Sequence, residues 1–136
     1  VRQVISEDTS RLCCQILEQV VGNKNGTGNN AYVAGYRIAG KTGTSEDVAY
    51  EARTGTKRYI VSFIGFAPAD DPKVAVLVLL RHPNPESGVY ASGGQMAASP
   101  AITIIASAAP DSSSREAILI ASPPEEQAVL TVRLGP

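Results

Sequence analysis

The chain has 136 residues, 43% of them apolar and 18% charged, and twelve Lys plus Arg against thirteen Asp plus Glu leave a net charge of −1. That length allows one modest domain or part of one, and the composition is too apolar for wholesale disorder. The balanced charge excludes the broad basic footprint that nucleic acid or an anionic membrane surface attracts.

From the amino end, VRQVISEDTS lacks the basic start and apolar middle of a signal peptide. The longest apolar run, Val74–Leu80, is far too short to span a bilayer, so an export signal or anchor is expected only outside this chain. Ser6 is placed to cap a helix over 7–21, where Leu12, Ile16, Leu17, Val20 and Val21 recur at helical spacing and Gly22 stops it. Cys13 and Cys14 are adjacent, which suits neither a disulfide nor a metal, and at least one is expected to face the core. NKNGTGNN, 23–30, is turn chemistry. From Ala31 to Thr44 partial alternation predicts a strand, with Tyr36 and Ile38 on one face and Arg37 on the other, and 45–57 then reads as a polar loop.

RYIVSFIGFAP, 58–68, and KVAVLVLLR, 73–81, joined by the turn PADDP, predict an antiparallel hairpin whose second strand is apolar enough for burial on both faces. His82, the only histidine, precedes Pro83 and is expected at a strand end on the surface rather than as a base; a Ser/His/Asp triad and a metal cluster are not indicated. After a Pro/Gly-rich loop, 82–94, QMAASPAITIIASAA predicts a helix with Pro100 in its first turn. Residues 111–136 change character: DSSSRE reads as a linker, and AILIAS, PPEE and QAVLTVRL as strand, turn, strand.

GYRIAGKTGTSE, 35–46, supports two chemistries. Gly35–Thr42 matches the phosphate-cradling pattern GxxxxGK[ST], which needs a glycine-rich loop and a helix opening straight after the lysine. Here Tyr36, Arg37, Ile38 and Ala39 contain no glycine, and Thr42-Gly43-Thr44 is a poor first helical turn. A strand carrying Lys41-Thr42-Gly43-Thr44 instead presents an ammonium and two hydroxyls along a sheet edge. Glycine leaves room there for a substrate, and a carboxylate is the natural anion.

GTGNNA at 26–31, GYRIAGKTGTSE at 35–46, SFIGFAPADDP at 62–72 and GGQMAA at 93–98 occur in register with one another. In this the chain resembles the carboxy-terminal part of the transpeptidase domain of class B penicillin-binding proteins, over roughly 5–108. The resemblance implies an α/β fold, an antiparallel sheet flanked by helices, with 1–110 as the KTG-bearing part of the domain and 111–136 unassigned. It implies that Lys41 supplies positive potential and that Thr42 and Thr44 meet the substrate carboxylate. Gly43 would leave room for the acyl chain, and the Thr44 backbone N–H would be an oxyanion donor. Stem peptide or β-lactam and the remainder of the transpeptidase domain are the implied partners, at the extracytoplasmic face of a bacterial membrane, with no cofactor and no metal. In the family an SxxK serine is the nucleophile and an SxN motif assists, both upstream of the KTG strand. Neither motif occurs in this chain, so it is expected to be inactive alone. The alternatives are a non-catalytic scaffold relative and, on the cradle pattern, a nucleotide-binding module.

Overall fold

A computed structural model describes residues 2–83, 91–108, 117–121 and 127–134. Helix α1, Glu7–Gly22, starts where Ser6 accepts the Thr9 N–H (3.2 Å) and Glu7 and Asp8 sit at the positive end of the helix dipole. Its inner side buries Val21 and half-buries Cys14, while Cys13 lies exposed. Leu12 and Ile16, one turn apart, are each 56% exposed.

Strand β1 (Ala39–Glu46), β2 (Tyr59–Ala67) and β3 (Val74–Arg81) form consecutive antiparallel pairs, as the hairpin pattern predicts. The residues before Ala39 are not strand: Asn29–Ala31 make a 3₁₀ turn, Gly35 has φ +86°, and the Arg37 carbonyl accepts from Ala69 N–H (2.8 Å). The expected alternation at 36–38 is not formed: Ile38 is buried while Tyr36, expected on the same face, is exposed, and the left-handed glycine just before them interrupts any strand there. The Arg37 side chain clamps Glu18 through two hydrogen bonds (2.8 and 2.9 Å) and also meets Asp70. This hydrogen bonding holds Glu18 below the ordinary carboxylate range.

The stretch 45–57 is not a loop either. β1 runs on to Glu46, and helix α2 occupies Val48–Thr54, capped by the Asp47 carboxylate on Tyr50 N–H (3.0 Å) and stopped by left-handed Gly55. A short π-type turn, Gly93–Ala97, feeds helix α3, Ala98–Ala108, and Pro100 stands at the third position of α3. Strands β4 (Ala117–Ala121) and β5 (Gln127–Leu134) pair with each other, and β5 pairs with β3, giving the sheet order β1-β2-β3-β5-β4.

The core lies on one face of the sheet, where Val21 of α1, Phe63 of β2, Val76 and Val78 of β3, and Ala101 and Ile105 of α3 pack together. Burial on both faces of β3 is only partly realised: Val74, Val76 and Val78 are buried, whereas Ala75, Leu77 and Leu79 are half-buried. On that second face Ile64 is 51% exposed. The molecule is thus an α/β fold, an antiparallel sheet with flanking helices. Among the described residues no helix is long and apolar enough to cross a membrane.

Candidate functional site

β1 is an edge strand, so part of its backbone has no strand neighbour on the outer side. Alternation sends its side chains to opposite faces. Thr42 stands opposite Phe63 and Thr44 opposite Val61, both on the core face; Lys41 stands opposite exposed Ile64 and Gly43 opposite Ser62, on the other. The lysine is exposed, with Nζ donating to the Thr42 carbonyl at 2.7 Å. The Lys-Thr-Gly-Thr stretch therefore offers hydroxyls to one side of the sheet edge and an ammonium to the other. No helix opens at Lys41, since β1 continues through Glu46, and the phosphate-cradle geometry is not formed.

Two segments converge on the two threonines. The π-type turn brings Gly93 and Gly94 against β1, and Gly93 N–H donates to Thr44 Oγ1 at 3.3 Å. Only glycine allows this approach: a Cβ at Gly93 would overlap the Ser62 carbonyl oxygen and lie 2.6 Å from that of Gly43. The GTGNN loop closes the other side. Thr42 Oγ1 donates to Thr27 Oγ1 at 3.1 Å, and Asn30 Nδ2 donates to the Gly94 carbonyl at 2.9 Å. Between them lies a cleft of about 420 Å³ bordered by Lys24, Thr27, Thr42, Thr44, Ser92 and Gly94. Its polar, neutral-to-cationic lining suits an anion with several acceptor oxygens.

Just past the carboxy-terminal end of β1 is a buried polar cluster. Asp47, 6% exposed, accepts Tyr50 N–H at Oδ1. Its Oδ2 takes Arg81 Nε and Nη2 (3.0 and 2.9 Å) and pairs with His82 Nε2 (3.0 Å). The Tyr50 N–H, then the Arg81 and His82 bonds, pull the Asp47 carboxyl down to about 2. His82 is not on the surface. It is 8% exposed, has φ +54°, and its N–H donates to the Tyr59 carbonyl. Sheet pairing places it beside Asp47, 35 positions away, which no local pattern around His82-Pro83 reveals. The one legible signal was Asp47 itself, an N-cap residue eight positions before Gly55.

The model of the penicillin binding protein transpeptidase domain matches residues 1–106, well over half of the chain. The chain belongs to the penicillin-binding protein transpeptidase domain family. Among its relatives, stage V sporulation protein D of Bacillus subtilis is 48% identical over 97 residues, 71% of this chain and 14% of that protein. A peptidoglycan D,D-transpeptidase FtsI homolog of Chlorokybus atmophyticus is 39% identical over 83 residues, 61% of this chain and 12% of the relative. A probable peptidoglycan D,D-transpeptidase FtsI of Caulobacter vibrioides is 38% identical over 118 residues, 80% of this chain and 20% of the relative. The chain thus spans a fifth or less of the length of these relatives.

Proposed function

We propose that this chain supplies one wall of the active site of a peptidoglycan D,D-transpeptidase, in which a serine from another segment attacks a stem peptide or a β-lactam. Family membership supports the reaction class, and the single observation that carries the site is the cleft at the edge of β1, where fixed glycine backbone and two threonine hydroxyls meet. In this reading Thr42 and Thr44 belong to the carboxylate-binding group, and Gly43 leaves space beside the strand. The Thr44 backbone N–H is one donor to the oxyanion of the tetrahedral intermediate. Donors already held in place stabilise that charge without reorganising as it develops.

Lys41 acts from the other face of the same strand. Its ammonium stabilises negative charge near the attacking serine and positions the SxN hydroxyl. The serine and the SxN motif come from the remainder of the transpeptidase domain, which docks on this wall, and the assembly works on the extracytoplasmic side of the membrane through an anchor elsewhere in the parent. Residues 1–110 serve this domain, and 111–136 carry no assigned role in it.

The test is acylation by a fluorescent penicillin in the enzyme that carries this chain together with its SxxK serine. Lys41→Ala should lower the second-order acylation constant by about 100-fold, the scale of losing one fixed electrostatic contact in an acyl-transfer site. Acylation unchanged by Lys41→Ala would contradict the assignment of this strand.

A further inference from the structure

Thr27 lies outside the Lys-Thr-Gly-Thr strand, yet the hydrogen-bond directions in the cleft give it a role there. A threonine hydroxyl has one proton to give and two lone pairs to receive. Thr44 Oγ1 accepts the Gly93 N–H, so its own proton remains available to the cleft. Thr42 is different, because it donates to Thr27 Oγ1 at 3.1 Å and its proton is already committed. Thr27, having accepted, keeps its proton for a third partner. The two hydroxyl donors presented to an anion are therefore Thr27 and Thr44, with Thr42 orienting the first of them.

The loop that holds Thr27 is fixed on several sides. Gly28 N–H donates to the Val20 carbonyl at the end of α1, Asn29 N–H to the Gly26 carbonyl, and Asn30 Nδ2 to the Gly94 carbonyl. Gly94 packs so closely on this loop that a Cβ there would overlap the Thr27 carbonyl oxygen. Lys24, from the same loop, also borders the cleft. A donor held this way gives its hydrogen bond without the entropy cost of ordering a free side chain.

We propose that Thr27 is a binding residue for the substrate carboxylate, its hydroxyl aimed by Thr42, with Lys24 adding positive charge at the cleft lining. The proposal rests on the transpeptidase reading of the cleft. In the enzyme carrying the SxxK serine, Thr27→Val should lower the second-order acylation constant for a penicillin by about tenfold, the scale of one hydrogen bond to a charged group. The slower reaction with the penicillin methyl ester, which lacks the carboxylate, should be unaffected. Thr27→Ser should restore the carboxylate-dependent rate, and Thr42→Val should lower it without adding to the Thr27→Val loss. Should Thr27→Val not fold, Thr27→Ser against Thr27→Ala carries the same comparison.

Equal rates for Thr27→Val and the unsubstituted enzyme would overturn the proposal while leaving the transpeptidase reading intact. So would an equal loss on acid and ester, which marks Thr27 as structural only. An unsubstituted enzyme that does not acylate at all would remove both together.

Discussion

Asp47 does three jobs with two oxygens: it caps α2, neutralises Arg81, and holds His82 in a left-handed conformation at the end of β3. A carboxyl held near 2 rather than the ordinary value near 3.9 favours the folded state wherever it is ionised. The sign follows from proton uptake: between about pH 4 and pH 2 the unfolded chain binds the proton first, so this contribution is full above pH 4 and lost as pH falls toward 2. Asp47→Asn should lower the melting temperature by several degrees at pH 7 and flatten the acid limb of melting temperature against pH between 4 and 2. An acid limb identical to that of the unsubstituted protein would show that the Asp47 proton is not linked to folding. His82 itself is the residue least legible in the sequence. Its burial depends on β3 ending beside the start of α2, a matter of sheet register rather than of neighbouring residues.

At the scale of elements, the parts with strong local signals were readable: α1 from its cap and apolar spacing, the β2–β3 hairpin from two β-branched runs around PADDP, and the edge strand from Lys-Thr-Gly-Thr. α2 has no such signal: its seven exposed or half-buried residues carry little apolar periodicity, and only its two caps mark it. The cleft was legible in its strand residues but not in its assembly. The close approach of Gly93 and Gly94 to β1 depends on a π-type turn that begins 49 positions beyond Thr44, and the Thr27 contact joins residues 15 positions apart. Gly93→Ala tests that assembly. Its Cβ must push β1 or the turn away, at a cost of about 3 kcal/mol by the measure of overpacked interiors, and the Thr44 hydroxyl loses its Gly93 partner. Both stability, by chemical denaturation, and acylation should fall; a fully stable and active Gly93→Ala enzyme would contradict the packing described.

For the whole molecule, the sheet is the organising fact. One face is packed by α1, α3 and the turn before α3, while the other carries Lys41, exposed Ile64, and half-buried Phe66, Leu77 and Leu79. With a partly uncovered apolar face and exposed Leu12 and Ile16, the isolated chain is expected to be marginal in solution or to associate. A sharp, reversible two-state melt of the monomer would count against that expectation. The same division governs chemistry, because the edge of β1 presents threonine hydroxyls and the Lys41 ammonium, and the sequence holds no SxxK serine. Labelling with a fluorescent penicillin tests this most directly. The isolated 136-residue chain should remain unlabelled and the enzyme that includes an SxxK serine should label on that serine. Covalent labelling of the isolated chain at any of its own serines would contradict the account.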